Sequence, residues 1–474
     1  MTGCRAARLR VLLLNPPGER LYVRDYYCSK VAKSGYVVHP VDLLVLSGRI
    51  AERHEVRLID AVAEQLDHSA CRARVGAFSP DVIIAVSGAV SRDEDRLFLS
   101  SLRGQGRRIL VSGDVVLDDP VQWLRENDFA DAAVIDFTGE DILSYLEERD
   151  DLHPSVVTRQ GGAPAGQRPV NREFTLPVPR HELFLSRRYR FPFSRHRLFA
   201  TVLTDYGCPF SCSFCVMSTI GYQYRPVENV LAELRHLRGL GVRELYFSDQ
   251  TFGAIRQRAL DLCGRMRDEE FGFGWTCFSR ADILSDARFL DALRAAGCHT
   301  AMLGVESASP SVLATYGKGC THDQIRRALS LCRERGIRTV ATFILGLPEE
   351  TEDTARATIE LAKTLDCDYA SFNVAVPRMG TPLRREAIRT GLIAPEVTTM
   401  DQSGSNIVMP SKFLAIERLA SLRVRAIREY YLRPRYLWRR LKSVTTFSEL
   451  REHLAEGWEL IRSLRDAGGR RPER

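Results

Sequence analysis

No apolar run in this sequence approaches the roughly 18–20 residues of a membrane-spanning helix. The start, "MTGCRAARLRVLLLNPP", does not read as a secretory leader: it is basic, but its apolar run covers only Val11 to Leu14, where such a leader needs about 7–15 residues. That run reads instead as a first buried strand. Charge of one sign is scarce, since a net +7 over 474 residues is modest and does not argue for nucleic acid. Low complexity and internal repeats are absent apart from strand–helix alternation. A regular disulfide framework is lacking too: nine of the twelve cysteines are scattered, which suits ordinary buried thiols in a reduced, cytoplasmic protein. At 45% hydrophobic and 27% charged residues the chain has the composition of a soluble globular protein. Its length suggests two to four domains at about 100–200 residues each.

The exception to the scatter is "CPFSCSFC", which places Cys208, Cys212 and Cys215 in eight positions. A structural zinc site commonly uses four ligands, often two Cys-x-x-Cys pairs well separated in sequence. Here there is one compact set of three, and no histidine lies in the loop to complete it. A [4Fe–4S] cluster bound by three thiolates keeps one iron open to a non-protein ligand, and an open position signals chemistry rather than scaffolding. The bland alternative is three unrelated buried cysteines.

The rest of the chain alternates. Strands are expected over 10–17, 54–61, 80–88, 107–114 and 131–141, with helices over 40–53 and 91–106. Such a series predicts an open parallel sheet, which binds ligands at the carboxyl ends of its strands. This domain is placed at 1–150. Residues 151–198 are rich in Pro, Gly and Arg without a sustained period and read as a linker lying over a neighbouring domain. From 199 to 385 six strand–helix units follow, predicting a parallel barrel or partial barrel with its site at the strands' carboxyl ends. The three cysteines fall just past its first strand. Residues 386–474 read as helical: 415–443, a second helix over 447–468, and a frayed end at 469–474. Between Glu417 and Lys442 eight arginines and one lysine accompany two glutamates. The bland reading is a solvated helix face; the alternative is a surface for an anionic substrate such as a phosphate ester, a porphyrin carboxylate or a carrier-bound intermediate.

Cys-x3-Cys-x2-Cys with Phe214 before the last cysteine, after the first strand of a (β/α)6 series, closely resembles the radical SAM superfamily. The resemblance implies that Cys208, Cys212 and Cys215 hold a [4Fe–4S] cluster whose fourth iron is chelated by S-adenosylmethionine (SAM). One electron then cleaves SAM to a 5′-deoxyadenosyl radical. It further implies that Asp249 in "YFSDQTFG" accepts from the SAM ammonium, although the family's Gly-Gly-Glu is absent here. Ser279 and Arg280 would meet the SAM carboxylate, Glu306 and Ser307 the ribose, and Gly346 the adenine, with Pro348 and Glu349 shaping that turn. Each polar group alone has a plain alternative as a helix cap.

An open sheet ahead of such a barrel resembles the class with an N-terminal cobalamin-binding domain, and "YYLRPRYLWRRL" resembles the C-terminal helices of members near anaerobic magnesium-protoporphyrin ester cyclases and cobalamin-dependent methyltransferases. The fold implied is α/β: a Rossmann-like open parallel-sheet domain, a partial (β/α)6 TIM-type barrel and a helical C-terminal domain. Asp-x-His-x-x-Gly, which supplies a cobalt ligand in methionine synthase, is absent. Gly113 and Gly139 remain of the usual glycine-rich turns. Two readings stay open: a bound cobalamin, or a fold kept without it. With cobalamin, the implied reaction is methyl transfer to an unactivated carbon or phosphorus. The alternatives are radical cyclisation or rearrangement, and, in another class, a non-catalytic iron–sulfur electron carrier or corrin sensor. The expected partners are a small-molecule or carrier-bound substrate and an external flavodoxin- or ferredoxin-type electron donor.

Overall fold

The computed structural model describes residues 7–442 apart from 33–34, 105, 149–152, 162–169, 399 and 405. The helix expected over 447–468 and the frayed end lie outside the described residues, as does part of the expected linker.

The first third of the chain builds one six-stranded sheet. Its elements are β1 (Arg10–Asn15), α1 (Val41–Ala51), β2 (Glu55–Asp60), β3 (Val82–Val86), β4 (Arg108–Ser112), β5 (Ala132–Val134) and β6 (Val156–Thr158). The strand order is β2-β1-β3-β4-β5-β6, parallel except for the antiparallel β6. Val11 to Leu14 and Val82 to Val86 are fully buried. Helices cover both faces, which explains why these strands are unbroken apolar runs rather than alternating ones.

The stretch read as a linker is largely ordered. It supplies the edge strand β6 and a short strand, Val170–Glu173, that pairs with Tyr222–Tyr224 beside the cysteine loop. Phe174, Phe184 and Tyr189 are buried. Asn229 donates from Nδ2 to the Leu176 carbonyl at 2.9 Å, and His181 meets Glu233 at 2.8 Å. Proline and glycine made this segment irregular; its aromatics anchor it.

The second sheet contains β7 (Ala200–Val202), α2 (Val227–Gly239), β8 (Glu244–Phe247), α3 (Arg256–Asp268), β9 (Gly274–Ser279), α4 (Ala287–Ala295), β10 (Cys298–Glu306), α5 (His322–Glu334), β11 (Arg338–Leu345), α6 (Glu352–Leu365) and β12 (Tyr369–Val374). All six strands are parallel and in sequential order. Among the described residues no pairing joins β12 back to β7, so the barrel is open at that seam. Threonine caps start α5 and α6: Thr321 accepts from Gln324 N, and Thr351 from Thr354 N, in reciprocal capping boxes. Two further helices, α7 (Ile416–Tyr431) and α8 (Pro434–Lys442), close the described chain. Tyr431 of α7 donates to the Ala370 carbonyl at 2.7 Å, fixing α7 on β12. Among the described residues no helix is long and apolar enough to cross a membrane.

Candidate functional site

The cysteine loop follows β7 and a short antiparallel pair, Asp205–Gly207 with Tyr222–Tyr224. Gly207 has φ +79°, and the Gly221 carbonyl occupies the place a Cβ would take, so only glycine fits this turn. The loop is pinned from outside: Ser213 N donates to the Tyr316 carbonyl at 3.0 Å, and Leu383 N donates to the Ser213 carbonyl at 3.0 Å. Ser218 Oγ donates to the Cys215 carbonyl at 2.7 Å. Cys208, Cys212 and Cys215 all line one cavity of about 2430 Å3. Burial pushes the Cys215 thiol up to about 12 and raises Cys212 as well. These are neutral thiols, which a bound metal centre would have to deprotonate. Among the described residues no three His, Cys, Asp or Glu side chains converge on a point suited to one metal ion. A cubane carries its irons at separate corners, so three spread thiolates of a single loop suit that group and not a lone ion.

Around the loop stand side chains from the carboxyl ends of the strands. Ser279, at the end of β9, faces the cavity and donates from Oγ to the Phe252 carbonyl at 2.8 Å. Arg280 lies in the wall with its guanidinium 3.8 Å over the Phe210 ring, and it pairs with Asp282 at 3.0 Å. A cation on an aromatic face within the cysteine loop ties the two elements together. Glu306 also faces the cavity, in a left-handed conformation (φ +64°), with Lys318 Nζ at 2.8 Å. Such backbone strain tends to persist where a site demands it.

Four expected contacts are not in the wall. Asp249 is fully buried below it: its carboxylate accepts from Thr204 N and Oγ1, both at 2.6 Å, and from Asp205 N at 3.0 Å. The reason is strand parity. Tyr246, Ser248 and Gln250 point into the cavity, whereas Leu245, Phe247 and Asp249 point away. Asp249 therefore braces the turn leading to the cysteines. Ser307 is buried, accepting from Ser309 N at 3.1 Å. Gly346 (φ +89°) packs against Leu419, where a Cβ would lie 2.9 Å from Cδ1, and Pro348 offers its carbonyl to Lys412 N at 2.9 Å. The residues missed were Ser248, Gln250, Thr251 and Lys318. Ser248 and Gln250 follow from the same alternation; Thr251, past the end of β8, breaks it and reaches Cys208 Sγ at 3.5 Å, and Lys318 had no local signal, because its partner is twelve residues away across a loop.

The first sheet meets the cavity differently. Its crossover point, between β1 and β3, is where an open sheet of this order usually receives a ligand. Here Arg24 fills it. Its Nη1 donates to Asn15 Oδ1 at 3.0 Å and to the Pro16 carbonyl at 2.9 Å, and its Nη2 meets Asp95 at 2.6 Å, with both side chains wholly buried. Gly113 and Gly139 face protein too: a Cβ at either would strike Ser87 or Ser155. The first sheet's share of the cavity wall comes instead from residues 20–41, including Tyr27, Cys28 and Lys30. Arg378, beyond β12, bridges the two sheets, with Asp114 at 3.2 Å and Cys28 Sγ at 2.9 Å.

A cysteine loop at the carboxyl edge of an open six-stranded parallel barrel, sharing a cavity with the ends of the later strands, defines the class. Residues 202–362 match the model of the Radical SAM superfamily. Over 451 residues the chain is 31% identical to an uncharacterized methyltransferase of Pyrococcus horikoshii, covering 90% of this chain and 94% of that protein. The chain therefore belongs to the radical SAM superfamily, and membership implies a [4Fe–4S] cluster and SAM. It is also similar to the anaerobic magnesium-protoporphyrin IX monomethyl ester cyclase of Rubrivivax gelatinosus, at 25% identity over 75% of this chain and 66% of that protein. Among solved structures, the cobalamin-dependent S-adenosylmethionine radical enzyme OxsB, with aqua-cobalamin and S-adenosylmethionine bound, matches with a TM-score of 0.68 at 16% identity, over 96% of this chain and 72% of that one. The methyltransferase TsrM from Kitasatospora setae, with cobalamin and a [4Fe-4S] cluster bound, matches with a TM-score of 0.64 at 21% identity, over 81% and 75%. At these identities the likeness is one of fold.

Proposed function

We propose that this radical SAM enzyme is a cobalamin-dependent methyltransferase acting on an unactivated carbon or phosphorus. The observation that carries the reading is the single cavity joining the three cysteines to residues 20–41 of the first sheet. Its volume of about 2430 Å3 exceeds the roughly 300–1,000 Å3 of a pocket for one small ligand, so cofactors and substrate fit together. Cys208, Cys212 and Cys215 hold the cluster. Arg280 and the Glu306–Lys318 pair border SAM, with Ser248, Gln250, Thr251 and Ser279 completing its wall. Cobalamin belongs between residues 23–41 and the β12 edge, away from Gly113 and Gly139. When bound, these groups supply the electron that cleaves SAM and a carrier for the methyl group. The protein's own part is placement and exclusion of water. Arg280 is held by Phe210, Asp282 and the Lys318 carbonyl, which leaves its Nη1 for an anionic ligand.

A second reading, radical cyclisation or rearrangement, draws on the similarity to the cyclase. Anaerobic reconstitution with iron, sulfide and added cobalamin tests both. Release of 5′-deoxyadenosine from SAM together with a corrin spectrum that survives desalting is the expected result. An intact cluster without deoxyadenosine release would sink the radical reading. Release without retained corrin would transfer the preference to the second reading.

A further inference from the structure

The cavity is strongly basic. Among the described residues it is lined by twelve arginines and lysines against four carboxylates, Asp25, Glu306, Glu417 and Glu429. Two of those four are already neutralised: Glu306 by Lys318, and Glu429 by Arg425 and Lys363. Near the cluster Arg280, Lys318 and Arg378 are engaged by Asp282, Glu306 and Asp114. At the opposite, amino-terminal end of the barrel Arg338 donates to the Phe193 carbonyl at 3.1 Å and Arg440 to the Tyr369 hydroxyl at 2.9 Å, but two arginines there differ. Arg195 and Arg428 line the cavity and have no side-chain partner among the described residues. Arg338, at the start of β11, holds a buried Nε that nothing accepts. Arg440 sits 4.4 Å over the ring of Tyr369, the first residue of β12, and Tyr369 packs edge-on against Phe193 at 5.1 Å. These contacts place the 193–195 segment, the start of β12 and α8 around one mouth. Leu432 and Leu437 stand there half exposed, at 51% and 50%.

Between this mouth and the cysteines the cavity follows β12 from Tyr369 to Val374, about 17 Å at ~3.3 Å per residue. Its wall along the way is aromatic and apolar at Tyr246, Phe278, Met302 and Val340, with Thr201, Thr342, Ser371 and Asn373 as polar points between them. Two guanidinium groups without side-chain partners at one end, a largely apolar lumen and a reactive centre at the other fit a molecule of matching polarity.

Resting on the radical SAM reading of the same cavity, we propose that the substrate is an elongated anion. Its phosphate or carboxylate is held at the amino-terminal mouth by Arg195 and Arg428, and its apolar body lies along β12, so that the carbon or phosphorus to be modified is about 17 Å from the anionic group.

The test measures binding to the full-length protein without SAM, by equilibrium dialysis below the critical micelle concentrations. The probes are decyl phosphate, decanoate, decyl maltoside and inorganic phosphate. Decyl phosphate or decanoate is expected to bind saturably and at least tenfold more tightly than decyl maltoside, and whichever anion is tighter identifies the head group. The pair Arg195→Glu/Arg428→Glu is expected to cost at least tenfold in that affinity and to leave decyl maltoside unaffected; Arg195→Gln/Arg428→Gln costs less but in the same direction. Circular dichroism melts confirm that each variant is folded. Equal binding of decyl maltoside would overturn the anionic mouth, and equal binding of inorganic phosphate would overturn the elongated body. Because the assay involves no SAM cleavage, failure here leaves deoxyadenosine release standing, and loss of that release leaves the binding result standing.

Discussion

Two parallel sheets in one chain treat the same geometric opportunity in opposite ways. Both end their strands in polar and glycine-rich turns, where open α/β sheets receive ligands. The first closes that edge with its own side chains: Arg24 and Asp95 form a buried pair, and Asn15 donates to Asp60 at 2.9 Å. The second leaves its edge open and rings it with three thiols, Arg280 and the Glu306–Lys318 pair. Strand alternation alone does not distinguish a sealed edge from a working one; what fills the space above the strands does.

The largest effect expected from breaking this contrast is at the open edge. Cys212→Ala lowers iron content and deoxyadenosine release by more than the roughly 10–100-fold lost with an outer-shell partner of a metal. Cys28→Ala, in the same cavity but on the first sheet's side, retains the iron. Iron assays on the reconstituted variants check both.

Next comes the sealed edge. Arg24→Ala leaves Asp95 buried and uncompensated and costs about 3–5 kcal/mol in urea unfolding. Lys318→Met is expected to be the reverse kind of change, lowering SAM cleavage about tenfold or more at a smaller cost in stability, roughly 1–2 kcal/mol.

A third experiment uses pH. Burial pushes the carboxyl of Asp42 up to about 7, against help from Ser112 Oγ at 2.7 Å. Between an ordinary value near 4 and that pH, the native chain holds a proton that the unfolded chain has released. Stability therefore falls as pH climbs from about 4 to about 7 and is level above. Asp42→Asn removes this contribution, so the decline in Tm between pH 5 and pH 8 shrinks by roughly 3 °C or more. An unchanged decline in thermal melts would assign the slope to other groups.

The smallest effect is on the outer surface of the first sheet's helices. Leu97 is 73% exposed, and Leu97→Gln shifts stability by no more than about 0.5 kcal/mol.

Much of this architecture was legible in the sequence, because period and punctuation are local. The runs at Val11–Leu14 and Val82–Val86, the glycine-terminated helices and the three clustered cysteines can each be read within a dozen residues. Parity was legible too: counting by twos from Tyr246 leads to Ser248 and Gln250 in the cavity wall. Other features were not legible, because they join residues far apart in sequence. Arg24 finds Asp95 seventy-one residues on, and Arg378 finds Cys28 three hundred and fifty residues back. A proline- and glycine-rich stretch likewise gave no local sign that Phe174, Phe184 and Tyr189 would bury themselves.

The Arg378 bridge also bears on how such a chain can be inherited. Its guanidinium is buried among Asp114, Cys28 and the Ser29 carbonyl, so neither sheet is a freely exchangeable module. A recombination that joined this barrel to a different first sheet would strand a charge in a low-dielectric seam unless the 28–29 and 114 positions travelled with it. Three short stretches far apart in the sequence therefore have to be exchanged together for that side chain to keep its partners.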